Sequence, residues 1–494
     1  MKFQSTRSDG KIKYTAAQVI KQGLAEDGGL FVPESIPSIT LEEIDSYRSL
    51  SYPVLAATIL SRFLTDYSFD ELLEDAINAY SHDGFDGNPC SLKKVDKNTF
   101  SLELWHGPTC AFKDMALQIM PRLLSRALTK TNEDKTALVL VATSGDTGKA
   151  ALEGYKNVDK VKIVVFYPEN GVSAIQKLQM VTQDGSNVDV CAVEGNFDDI
   201  QTGVKRIFSD PNVIKELSDH GYFFSSANSI NFGRLAPQIV YYVYAYCEMI
   251  NKGEIALGDT VNVCVPTGNF GNILAAYIAK LMGLPINKLL CASNSNNILT
   301  DFLSTGRYDR NREFHLTVSP SMDILISSNL ERLLYMMAGH EKTAQWMRSL
   351  NEKGYYEVDV KTLSAIKESF VGYYADEEKT LQTIRKTYTD LNYLMDTHTA
   401  VAFSCLNDYR SESGDMNKTI LASTASPYKF AKDVLGTLRG KKGEDGVSVL
   451  DELSKATGTQ IPKPLADLDK RSINFDAVCK PEAMTEHVLD FIKE

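Results

Sequence analysis

Lys113 stands in the stretch HGPTCAFKDMALQ, residues 106–118, behind a Gly-Pro turn and ahead of an acidic residue. Ala116, Ile119, Leu123, Leu124 and Ala127 follow at helical spacing. Pro121 inside that run is expected to kink the helix or limit its first segment. Lys113 therefore falls near a helix N-terminus, where the macrodipole disfavours a cation, among Ala111, Phe112 and Met115. Both effects favour the neutral amine that Schiff-base or general-base chemistry needs. A lysine that lays its stem on apolar surface and holds its charge in water beside Asp114 is the other reading of these residues.

Other segments offer anion sites. In VCVPTGNFGN, 263–272, an apolar strand ends at Pro266 and Thr267, and Gly268, Asn269, Phe270, Gly271 and Asn272 lead into a helix. Such a turn can aim several N–H groups at a phosphate, or be a plain strand–helix turn. It matches neither dinucleotide nor nucleoside-triphosphate loop patterns. ATSGDTGKAA, 142–151, is a similar junction, with Ser144, Asp146 and Thr147 available to a carboxylate or phosphate, or simply a capped helix start. Ser226, Asn228, Ser229 and Asn231 are ordinary turn residues, and Arg234 after them suits a bidentate anion contact. Thr424 and Ser426 lie at a strand C-terminus, the edge where open α/β sheets bind ligands. His106 and His398 have no metal-ligand spacing, so no metal is expected.

The elements that must position these residues form a large α/β protein. With 494 residues the chain exceeds one simple core. The rhythm of apolar strands and helices predicts two open, twisted, parallel-type sheets with flanking helices. Ahead of them lies a mainly helical N-terminal domain. The expected divisions are 1–95 for that domain, 131–229 for a smaller mobile α/β domain, and 96–130 with 230–494 for a large one. Sixty-four acidic against 52 basic residues, net −12, argue against nucleic-acid or anionic-membrane partners. Eight scattered cysteines, no apolar N-terminal run and no membrane-length apolar stretch point to the cytoplasm.

Taken together and in order, FQSTR, GLAEDGGLFVPE, HGPTCAFKD, TSGDTGKAA, NSINFGR, VPTGNFGN, SPSMDI, DTHTAVA and STASPYKF resemble the motif series of the threonine synthases, in their form with an extended N-terminal region. The resemblance spans nearly the whole chain. It implies the tryptophan synthase β-like fold (fold type II) and pyridoxal 5′-phosphate as cofactor. Lys113 would carry the cofactor as a Schiff base and then act as the base at the α and β carbons. Gly268, Asn269, Phe270, Gly271 and Asn272 would bind its phosphate, and the Thr424 hydroxyl would meet its ring nitrogen. Ser144, Asp146, Thr147, Asn228, Ser229, Asn231 and Arg234 would line the substrate side, with Thr6 and Arg7 closing it. The implied reaction turns O-phospho-L-homoserine and water into L-threonine and phosphate, by elimination at the γ carbon and replacement at the β carbon. The alternative is a relative that releases 2-oxobutyrate, ammonia and phosphate. A monomer or homodimer is expected. Two positions depart from the family pattern: Thr267 replaces a usual serine but keeps the hydroxyl, and Ser426 replaces a frequent histidine, so no histidine role is expected there.

Overall fold

The computed structural model describes residues 1–493 other than 82, 83, 86, 144 and 442. Among these, the strands in chain order are β1 (Phe3–Ser5), β2 (Phe31–Pro33), β3 (Ser91–Lys94), β4 (Thr99–Glu103), β5 (Thr136–Ala142), β6 (Val161–Pro168), β7 (Val188–Val193), β8 (Tyr222–Ser225), β9 (Val261–Pro266), β10 (Ile286–Ser293), β11 (Arg307–Asp309), β12 (Tyr355–Glu357), β13 (Phe370–Tyr374), β14 (Thr419–Ser423) and β15 (Val478–Cys479). Six of them form one sheet in the order β13-β10-β9-β14-β4-β3, and five form another in the order β15-β7-β6-β5-β8. Both sheets are parallel, except that β3 runs antiparallel to β4 at one edge. The central strands Val261–Pro266 and Thr419–Ser423 are buried along their whole length, as strands covered by helices on both faces must be. This is the expected fold class.

The N-terminal region is mainly helical, as its sequence predicts. Thr15 and Ser68 close capping boxes on the helices Ala16–Gln22 and Phe69–Ala79. The antiparallel β1–β2 pair adds a short ribbon. Two expected divisions do not hold. The β3–β4 hairpin joins residues 91–94 to the six-stranded sheet, so the division at 95 cuts through paired strands. At the other end, β15 pairs with β7 of the five-stranded sheet. The following helix, Met484–Lys493, buries Met484, Val488 and Ile492 in the same apolar cluster as Ile200, Ile207 and Leu217. Residues 478–493 therefore pack on the smaller sheet instead of the larger one. A two-residue strand carries too little periodic signal to be read from sequence.

Pro121 limits the first helix as expected. One helix spans Asp114–Leu117, and the next, Met120–Lys130, begins with Pro121 in its first turn.

Candidate active site

Three neighbouring strands of the larger sheet, β4, β14 and β9, end at the same edge. Beyond them lie the segments carrying Lys113, Thr424 and the 268–272 loop. The chain leaves β9 toward β10 on one side, while β14 and β4 lie on the other. That arrangement opens a crevice at the strand ends. Backbone bonds stitch the first two segments together: Phe112 N donates to Thr424 O at 2.8 Å, and Ser426 N donates to Cys110 O at 3.0 Å.

Lys113 sits at the cap of the Asp114–Leu117 helix. Its side chain is only 11 % exposed, so it does not reach out to bulk water. Nζ donates to Ser321 Oγ at 3.2 Å and lies 3.9 Å from Asp146 Oδ2. Burial lowers its pKa below the ordinary lysine value, Lys429 and Arg234 push the same way, and Asp146 and Asp114 oppose them. The amine is thereby biased toward its neutral, nucleophilic form. Asp114 does not pair with it. Its carboxylate accepts from Thr109 N at 2.8 Å and Thr109 Oγ1 at 2.7 Å, locking the turn that presents Lys113.

The 268–272 loop is a cup at the start of the helix Gly271–Met282. Phe270 takes a left-handed conformation, φ 63°. A side chain at Gly268 would bring its Cβ within 2.5 Å of Ser321 O, so residue 321 touches both the cup and the lysine. Ser327 Oγ donates to Gly268 O at 2.6 Å, and Asn329 Nδ2 donates to Asn269 O at 3.0 Å. Asn272 accepts from Tyr242 OH through its oxygen, while its buried Nδ2 has no partner among the described residues. A buried donor without a partner at a helix N-terminus is suited to an anion.

The other expected residues divide. Arg234 is buried, with Nη1 bonded to Ala227 O at 2.7 Å and Nε without a partner among the described residues. Burial lowers its pKa to about 10. Asn228 is exposed and Ser229 half-buried in the turn before it. Asn231 is committed elsewhere: its oxygen accepts from Gly233 N and its amide donates to Ile20 O, each at 2.9 Å. It caps the helix Phe232–Asn251. Asp146 opens the helix Asp146–Tyr155 and faces Lys113 and Lys429. Thr147 follows it half-buried, Thr424 is buried, and Ser144 lies outside the described residues.

The N-terminal region reaches this edge through Glu331, which accepts from Thr6 Oγ1 at 2.6 Å and from Arg7 Nε and Nη2 at 2.8 and 2.7 Å. Buried Arg332 donates to Phe31 O at 2.9 Å and bonds Asn329 and Ile230 O. His106 is bound to Glu103 at 2.9 Å and stacks on Trp105, away from the lysine amine's contacts.

Sequence reasoning missed three participants: Lys429, Ser321 and the Asp396–His398 pair. His398 Nε2 accepts from Ser321 N at 3.2 Å, and its Nδ1 lies 2.9 Å from Asp396 Oδ2. The two contacts fix the tautomer, with the proton on Nδ1. The Asp396–His398 contact is local to DTHTA, but Ser321, which His398 meets, lies 77 residues away.

Among the described residues no cluster could hold a metal ion and no helix is long and apolar enough to cross a membrane. Residues 2–80 match the family described as threonine synthase N terminus, and 92–422 match the pyridoxal-phosphate dependent enzymes. Threonine synthase-like 1 of Pongo abelii is 39% identical over 459 residues, 89% of this chain and 61% of its own length. The chain thus spans about three fifths of that relative. Threonine synthase of Pseudomonas aeruginosa is 38% identical over 440 residues, covering 88% of this chain and 90% of that protein. The crystal structure of PLP-bound threonine synthase from Brucella melitensis superposes with a TM-score of 0.89 at 35% identity, covering 100% of both chains.

Proposed function

Because this chain belongs to the threonine synthase family of pyridoxal-phosphate-dependent enzymes, we propose that it converts O-phospho-L-homoserine and water into L-threonine and phosphate. The observation that carries the reading is Lys113: a largely buried amine with a lowered pKa, joined through Ser321 to a glycine-lined cup. The cofactor suits these residues, because the cup contains the unpartnered Asn272 Nδ2 at a helix start and has no room for a Cβ at Gly268. When bound, pyridoxal phosphate supplies an electron sink that makes protons near the substrate nitrogen labile.

In this reading residues 268–272 would hold the cofactor phosphate, Lys113 would hold its aldehyde group, and Thr424 would face its ring nitrogen. Lys113 Nζ would then take protons at the α and β carbons and return one at the γ carbon, from which phosphate leaves, and one at the α carbon, after water has supplied the hydroxyl at the β carbon. Ser321 Oγ, 3.2 Å away, orients that amine for the transfers. Arg234, with Asn228 and Ser229, binds the substrate anion; the unpartnered Arg234 Nε supports this. The body built on the five-stranded sheet closes over the substrate and excludes water until the addition step. Eight unpaired cysteines support a cytoplasmic location. The substrate is a small molecule, and the working form is a monomer or homodimer.

The deciding experiment incubates purified protein with O-phospho-L-homoserine and identifies the carbon product. Threonine and phosphate in equal amounts are expected. 2-Oxobutyrate and ammonia without threonine would replace this reading with a phospho-lyase.

A further inference from the structure

Lys429 is a charge with no access to water: its side chain is 0% exposed. It lies on the short turn Pro427–Phe430, just after Thr424. Its ammonium meets three acceptors from three segments: Thr109 O at 3.0 Å, Gln179 Oε1 at 3.1 Å and Asp146 Oδ1 at 3.0 Å. Thr109 belongs to the loop that presents Lys113. Gln179 and Asp146 lie on the helices Ala174–Val181 and Asp146–Tyr155, which follow β6 and β5 of the smaller sheet. A buried ion is expensive unless its surroundings need it.

The need is visible in the second oxygen of Asp146, which lies 3.9 Å from Lys113 Nζ. One carboxylate is shared between two lysines. Facing only Lys113, it would hold a proton on that amine, because a nearby anion stabilises the ammonium form. We propose that Lys429 is a positioning residue of the reaction: its charge neutralises Asp146, so that this carboxylate orders the Lys113 amine without keeping it protonated. The proposal rests on Lys113 being the cofactor lysine.

The charges around both groups agree with it. Facing Lys113 are Asp146, Lys429, Arg234 from the helix Phe232–Asn251, and Asp114. Facing Asp146 are Lys429, Lys113 and the neutral amide of Gln176, whose Nε2 donates at 3.1 Å. Against the upward pull of burial, Lys429 and then Lys113 hold the Asp146 carboxyl below the usual carboxylate range. Asp146 is therefore an anion throughout the working pH range, and Lys429 opposes its effect on Lys113.

The test uses the full chain freed of cofactor, with Lys429→Met, Lys429→Arg, Asp146→Asn and the double variant Lys429→Met/Asp146→Asn. Each is mixed with pyridoxal 5′-phosphate across pH. Appearance of the visible absorbance band and borohydride trapping on Lys113, read by mass, report the neutral amine without any turnover. In Lys429→Met the midpoint should rise by about 1 pH unit or more, while Lys429→Arg and the double variant stay close to the parent. An unchanged midpoint in a folded Lys429→Met overturns the proposal. If Lys429→Met fails to fold, Asp146→Asn is compared with the double variant. The remaining Lys429 charge should lower the midpoint of Asp146→Asn relative to the double variant by about 1 unit, and equal midpoints overturn the proposal. A parent chain that never captures cofactor on Lys113 would instead overturn the functional reading beneath it.

Discussion

Lys113 and Asp114 are neighbours in sequence with separate tasks: one is a free amine with a lowered pKa, the other a buried carboxyl raised to about 6 by desolvation. Lys113→Ala should lose both the visible absorbance of bound cofactor and turnover, with kcat/KM down by several orders of magnitude, while circular dichroism stays unchanged. Asp114 makes a stability prediction of definite sign. The folded chain keeps that proton to about pH 6, whereas the unfolded chain releases it near pH 4. Between those values the folded state binds more protons, so stability falls as pH rises. Asp114→Asn removes this slope. Relative to the parent, its free energy of unfolding should therefore increase, meaning greater stability, from pH 4 to pH 7 by about 3 kcal/mol at most, a difference in which other carboxylates cancel. His398→Leu removes the acceptor of Ser321 N. It should lower kcat about tenfold, the worth of roughly one hydrogen bond, and destabilise the fold by about 1–3 kcal/mol because the buried Asp396 loses a donor.

At the scale of elements, the lysine is placed by a close approach of backbone. A Cβ on Gly154 would stand 1.9 Å from Leu117 O, so the helix Asp146–Tyr155 touches the turn that bears Lys113 only because residue 154 has no side chain. Gly154→Ala should destabilise the fold by about 3 kcal/mol and weaken cofactor binding, measured by thermal melts and by titration of the absorbance band. Gly268→Ala should lower the melt and also weaken cofactor affinity, since its Cβ would meet the backbone oxygen of Ser321 at 2.5 Å, beside the cup. Much of this was legible in sequence because it is local. A glycine-rich turn after an apolar strand, a hydroxyl at a strand end and a lysine before a helical run each show their character within ten residues. Lys429 and His398 did not, because their partners, Thr109, Asp146, Gln179 and Ser321, come from segments that only the folded sheets bring together. A turn asparagine before a helix, such as Asn231, reads the same in sequence whether or not it caps that helix, and the fold shows that it does.

For the whole molecule, two sheets meet at one group of charges, and Asp146 and Gln179 from the smaller body close on Lys113 and Lys429 of the larger. The smaller body is completed by the far end of the chain. Removing residues 478–493 strips Met484, Val488 and Ile492 from its core. At about 1.5–3 kcal/mol for each fully buried side chain, the truncated chain should melt several degrees lower and bind an apolar dye; an unchanged melt would show that the smaller sheet does not depend on them. The same feature sets a schedule on the ribosome. The open edge of β7 is finished at Val193, yet its partner strand β15 is not made until Val478. At roughly 5–20 residues per second, that edge waits about a quarter of a minute to a minute. Throughout that interval β7 is held by β6 on one side, while its outer edge waits for a covering strand that does not yet exist.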